Sequence, residues 1–146
     1  MNYIKLKIVK QTPVRYKPVK ITKAIDVYNL LKKEVKTLDR EQMWCLVLNT
    51  GCYLMGVNLV GIGTVDSFAT HPREILKPVI LMNGSGFIVV HNHPSGDVSP
   101  SQQDLDFTEH IESCARVMSL KFMDHVIVSD TGFYSIKGEF KGGKEV

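Results

Sequence analysis

Only three cysteines occur in the chain, Cys45, Cys52 and Cys114, and no two of them stand in a CxxC spacing. An odd, scattered set excludes a disulfide framework and a four-cysteine zinc site, so each thiol is expected to act as a small buried hydrophobe. Long apolar runs are missing as well. The stretch from Val57 to Ile62 is among the longest, is interrupted, and falls far short of the ~20 residues a membrane helix needs. The first ten residues, MNYIKLKIVK, hold neither the apolar core nor the small-residue cleavage site of a secretory signal. A cytoplasmic location without a membrane partner is therefore expected. There is no HExxH helix, and no H-x-E followed by P-C-x-x-C, which removes two large groups of zinc hydrolases. Internal repeats, low-complexity blocks and composition breaks are also lacking.

What remains is an ordinary globular composition, 44% hydrophobic and 23% charged over 146 residues. That length suits one domain burying about two thirds of its unfolded surface. Charge is unevenly spread: residues 1–36 carry ten Lys and Arg against Asp26 and Glu34, and the rest of the chain is net acidic. Such a basic N-terminal face could attract nucleic acid. A solvated edge strand, Tyr3 to Val9, kept from aggregating by its lysines, is the simpler reading. Aromatics able to stack on bases are sparse there, with Tyr3, Tyr16 and Tyr28 only.

Helical spacing of Ala24, Ile25, Val27, Tyr28, Leu30, Leu31 and Val35 behind Thr22, a candidate N-cap, predicts a first helix. The polar entry Leu38-Asp39-Arg40-Glu41 leads into Met43 to Leu48, a continuous apolar run that predicts a buried strand. Asn49-Thr50-Gly51 turns it back into Tyr53 to Val60 as a hairpin. Gly61, Gly63 and Asp66 make a loop, and His71-Pro72-Arg73-Glu74 starts a helix over Ile75 to Met82. Asn83-Gly84-Ser85-Gly86 stops that helix, and Phe87 to His91 is the next buried strand. A long amphipathic helix is expected from about Pro100 to Ser119, with Leu105, Phe107, Thr108, Ile111, Ala115 and Met118 facing inward. His125 to Val128 and Phe133 to Ile136 form a closing hairpin across Asp130-Thr131-Gly132, and the tail KGEFKGGKEV is expected to fray. The pattern is that of a single α/β domain over residues 1–146: a central mixed β-sheet flanked by helices, with its core at about 20–138.

Ligand-type side chains concentrate in HNHPSGDVSPSQQD, residues 91–104. Residues i and i+2 of a strand point to the same side, about 6.6 Å apart along the chain, so His91 and His93 can aim two imidazoles at one point. Pro94 and Gly96 then redirect the chain into a helix whose first turn carries Asp104. Two nitrogens and a carboxylate leave the fourth position of a tetrahedral zinc ion open to water, the layout of a catalytic rather than a structural site. Hydroxide would then be available near neutral pH. A bland alternative reads Ser99-Pro100-Ser101-Gln102 as a plain helix start, with Ser99 capping and Gln102 closing a capping box. A polar loop has no need of two histidines on one strand face and a carboxylate one helical turn later, so the metal site is preferred.

The run His91-x-His93-Pro94, followed by Ser101-x-x-Asp104, resembles the JAMM (JAB/MPN) metalloprotease motif, in which an upstream Glu precedes HxHP and SxxD. HPREI at 71–75 and DHVIV at 124–128 narrow the resemblance to the RadC-like branch of that superfamily, over about residues 20–140. The resemblance implies a mixed sheet flanked by helices (a cytidine-deaminase-like layout), one zinc per chain, and hydrolysis of a peptide or isopeptide amide. It assigns His91, His93 and Asp104 as metal ligands, and Ser101 as a donor to the bound water or the developing oxyanion. It assigns the general base to an upstream glutamate, for which Glu34, Glu41 and Glu74 are available. The family pattern sets this residue just before a buried strand, which selects Glu41.

Other residues of these motifs carry weaker expectations. Arg73 and His71 read as a helix start with a surface ion pair. His125 is either a partner orienting a ligand or a buried structural histidine, and Asn92 points to the other strand face and secures the loop. The expected substrate is a peptide or protein, including a ubiquitin-like one. Relatives often add an N-terminal helix-hairpin-helix region, which the resemblance does not cover, so the DNA-repair label attached to them is an association rather than a mechanism. The second reading is a metal-stabilised module that docks DNA, or a partner that processes it, through the basic N-terminal face. Steep loss of DNA affinity with salt distinguishes it from the enzyme.

Overall fold

In the computed structural model, residues 18–63 and 70–138 are described. The expected strand from Tyr3 to Val9, Asp66, and residues 139–146 of the tail lie outside them. The described elements run α1 (Ala24–Val35), β1 (Gln42–Leu48), β2 (Leu54–Ile62), α2 (Pro72–Leu81), β3 (Gly86–Asn92), α3 (Gln102–Val117), β4 (Lys121–Val128) and β5 (Phe133–Ser135). They form an α/β fold on one five-stranded sheet in the order β2-β1-β3-β4-β5. Pairing is antiparallel except between β3 and β4, so the sheet is mixed. The parallel pair is joined by α3, because a parallel connection must cross the sheet and a helix is its usual form. Among the described residues no helix is long and apolar enough to cross a membrane.

The continuous apolar runs of β1 and β3 follow from cover on both faces. Trp44, Leu46, Leu48, Ile88 and Val90 face α1, packing with Ala24, Val27, Leu31 and Val35. The alternate residues Met43, Cys45, Val47, Phe87 and Val89 face the other way, against Ile75 and Val79 of α2 and Ile111 and Ala115 of α3. The register pairs like with like, Trp44 with Val90 and Cys45 with Val89. Continued by one step, that alternation puts His91 on the α3 face. Burial pushes the Cys45 thiol up to about 12, so it behaves as the expected inert hydrophobe, whereas Cys52 and Cys114 are only half-buried.

Several expectations are corrected by local hydrogen bonding and by the ends of helices. Thr22 does not cap α1. Lys23 occupies the cap position, and the Asp26 carboxylate accepts from the backbone N–H groups of Thr22 and Lys23 at 2.9 and 3.0 Å. Likewise Ser101, not Ser99, caps α3. Leu105 and Met118 lie too near the ends of α3 to be covered and are exposed, while Thr108, Ile111 and Ala115 make its buried stripe. The last long strand begins at Lys121 instead of His125, because residues from Lys121 onward pair in parallel with β3.

Gly84 joins α2 to β3 where space is tightest. A Cβ built there would sit 2.5 Å from Val47 Cγ1 and 3.1 Å from Val79 Cγ1. Gly84→Ala is expected to cost about 1–3 kcal/mol through overpacking, read as a lower urea midpoint with unchanged slope. A midpoint equal to the parent's would show that the α2–β3 corner yields freely.

Candidate metal centre

The C-terminal end of β3 and the first turn of α3 meet on the face that α3 covers. His91 is the penultimate residue of β3. His93 follows the strand, and its N–H donates to the Val128 carbonyl at 2.9 Å, extending the contact with β4 by one step. Gly96, at φ +88°, takes a left-handed conformation that turns the chain towards α3. The Ser101 and Asp104 side chains then close the cap reciprocally. Asp104 N–H donates to Ser101 Oγ at 3.2 Å, and Ser101 N–H and hydroxyl both donate to Asp104 Oδ2 at 2.7 Å. The bland and the functional readings of this helix start are thus one geometry: the cap holds the carboxylate, and Oδ1 is left for the site.

His91, His93 and Asp104 converge. His91 Nε2 lies 2.9 Å from His93 Nε2 and 3.1 Å from Asp104 Oδ1, and His93 Nε2 lies 3.6 Å from Asp104 Oδ2. Among the described residues these three form a group able to hold a metal ion. Ligand atoms around a tetrahedral zinc ion stand about 3.3 Å apart; the two separations from His91 Nε2 fall a little short of that, and one ligand atom from each of the three residues lies within 4.8 Å of the others. The His93 ring is tied at its other nitrogen, Nδ1 donating to the Asp97 carbonyl at 2.7 Å, so its Nε2 is free to ligate. Set this close, two imidazole lone pairs and a carboxylate need a cation among them, and the donor set fits a metal.

Electrostatics agree with this. Burial alone would raise the Asp104 carboxyl. Hydrogen bonds and charge from His91 and His93 in their protonated forms, with the Ser101 N–H, outweigh it and hold Asp104 far below the usual carboxylate range. Burial pulls the His93 pKa down, but the hydrogen bond to Asp104, the Asp97 carbonyl and the charges of Asp104 and Glu41 leave it raised. The His91 side chain is 3% exposed, against 14% for His93 and 16% for Asp104, so the group opens to solvent on the His93–Asp104 side.

Glu41 stands one residue before β1, half-buried, and acts on His93 through its charge. Its segment is clamped. The fully buried Asn92 accepts from Gln42 N–H at 2.7 Å and donates to the Arg40 carbonyl at 3.1 Å, so it grips the chain on both sides of Glu41. The Gly63 N–H adds a bond to the Glu41 carbonyl at 2.8 Å. The other two glutamates are elsewhere. Glu34 is exposed on α1, against the opposite face of the sheet, and Glu74 pairs with Lys77 and Arg73. His71 and Arg73 are surface residues of the α2 start, as expected.

Sequence reasoning left His125 between two roles and gave Thr108 none beyond packing. Both belong to the site. His125 Nε2 lies 2.8 Å from His91 Nδ1, and His125 Nδ1 lies 2.7 Å from Thr108 Oγ1. Burial holds the His125 pKa well below its ordinary value. The available signal was Asp124-His125 inside an apolar strand, but nothing in the spacing links residues 91, 108 and 125.

A family model described as RadC-like JAB domain matches residues 21–141. The chain is 41% identical over 110 residues to a "UPF0758 protein" of Desulforudis audaxviator strain MP104C, a match covering 75% of this chain and 48% of that one. It is 37% identical over 118 residues to a "UPF0758 protein" of Clostridium botulinum strain Hall, covering 81% and 52%. The same figures hold for the protein of that name in strain Kyoto. The chain spans about half the length of the curated relatives it matches.

Proposed function

Because the chain belongs to the RadC-like JAB domain family, we propose that it is a zinc-dependent hydrolase of the JAMM type that cleaves a peptide or isopeptide amide. The observation that carries this is the convergence of His91 Nε2, His93 Nε2 and the Asp104 carboxylate on one point, with a clamped Glu41 at its edge. Held by these three side chains, a zinc ion would supply Lewis acidity and a water of lowered pKa. Glu41 takes a proton from the attacking water and delivers it to the leaving amine. Ser101, whose hydroxyl donates to Asp104 Oδ2 at 2.7 Å, turns from that bond to donate to the developing oxyanion. The substrate is a peptide or a protein with an extended tail, ubiquitin-like proteins included, presented on the open His93–Asp104 side.

Elemental mass spectrometry of the purified chain tests the metal site. Near one zinc per chain is expected, and His93→Ala should lose it. Absence of metal from both proteins after zinc is supplied would reduce the three ligands to scaffolding and remove the hydrolase with them. A peptidase and isopeptidase screen of the zinc-loaded chain then tests the reaction class.

A further inference from the structure

Counting protons outward from α3 fixes which ring nitrogen of His91 donates to His125. Thr108 Oγ1 lies 2.6 Å from the Asp104 carbonyl oxygen and 2.7 Å from His125 Nδ1. A carbonyl only accepts, so the single hydroxyl proton of Thr108 goes to Asp104, and its lone pair faces His125. His125 therefore carries a proton on Nδ1. It is fully buried, and among the described residues no carboxylate bonds to its ring, a setting that disfavours a second ring proton. Its Nε2 is then a bare acceptor, and His91 Nδ1, 2.8 Å away, must be the donor. A neutral imidazole has one N–H, so the neutral His91 ring that a metal requires has its lone pair at Nε2, the atom 3.1 Å from Asp104 Oδ1.

We infer that Thr108 and His125 are positioning residues that lock His91 in its Nδ1-protonated tautomer, aiming the Nε2 lone pair at the metal position. The bonds form a chain. They run from the backbone carbonyl of Asp104 through Thr108 and His125 to His91, whose bare Nε2 then faces the carboxylate of the same Asp104 across the metal position. Carbonyl, hydroxyl and two imidazoles come from two strands and a helix, so the tautomer of one ligand depends on the packing of all three elements. This chain of bonds has a purpose only if the site takes a metal, as proposed above, but its geometry stands without one.

Long-range proton–nitrogen NMR of the metal-free chain reads the tautomers directly, in mildly alkaline solution well above the free imidazole pKa of about 6.5. His91 and His125 are both expected to carry the proton on Nδ1, and a proton on Nε2 of either ring overturns the assignment. Zinc affinity, measured by chelator competition, gives a second reading. His125→Leu removes both ring bonds and should weaken zinc by about 10–100-fold. His125→Gln offers a carbonyl to His91 and an amide N–H to Thr108 and should recover most of the loss. Thr108→Val keeps the shape and removes only the hydroxyl, so it decides the matter if His125→Leu fails to fold; it should weaken zinc in the same direction. Unchanged affinity in a folded Thr108→Val overturns the proposed role. Tautomers as assigned in a wild-type chain that binds no zinc would instead sink the metal reading and leave the chain of bonds intact.

Discussion

Replacing Glu41 with Ala or Gln is expected to lower amide hydrolysis by about 10²–10⁴-fold while leaving the bound metal untouched. The two effects separate because Glu41 reaches the site as a charge acting on His93 and is not one of the three converging side chains. Glu34→Ala and Glu74→Ala should leave turnover unchanged, since one side chain is exposed on α1 and the other is held by Lys77 and Arg73. A Glu41→Ala protein with full turnover would remove it as the base. The clamp gives a graded companion. Asn92→Ala frees the Gln42 N–H and the Arg40 carbonyl on either side of Glu41, so kcat should fall with zinc content unchanged. Equal loss of both would instead mean that Asn92 holds the His91–His93 strand end.

How much of this was legible in the sequence depends on whether a feature is local. The converging group of His91, His93 and Asp104 was, because HxH is set by the two-residue period of a strand and Asp104 by the first turn of the next helix. The sheet was legible from Met43 to Leu48 and Phe87 to His91, since strands covered on both faces are apolar throughout. Helix ends were not. Leu105 and Met118 continue the apolar spacing of α3 past the point where the sheet covers it, and spacing carries no information about where a neighbour stops. Ser99 and Ser101 each precede a polar side chain three residues on, and only the fold shows that the Asp104 carboxylate closes the second box. The start of β4 was hidden by Asp124, a charged residue in the middle of a strand, which ordinarily marks a turn.

That buried carboxylate sets the second large effect: Asp124→Ala is expected to cost about 3–4 kcal/mol, roughly 10 °C in Tm. Asp124 is fully buried, and its Oδ1 accepts from the backbone N–H groups of His125 at 2.8 Å and Lys137 at 3.1 Å, while Oδ2 accepts from the Ser135 hydroxyl at 2.5 Å. Alanine would strand three donors, and with them the pairing of β5 to β4. Asparagine should be far milder, because its carbonyl can serve both backbone donors while its amide faces a hydroxyl able to turn and accept. Burial pushes the Asp124 pKa up, against the Ser135, Lys137 and His125 hydrogen bonds and the Lys137 charge, and the net shift is upward. An acid raised by folding stabilises fully below its unfolded pKa of about 3.9, and that contribution is lost as pH climbs through the folded value. Wild type should therefore lose stability relative to Asp124→Asn as pH rises out of the acid range, as read by urea midpoints across pH. A gap that widens in favour of wild type over that range would mean that the three donors outweigh burial and that the carboxylate is held ionised.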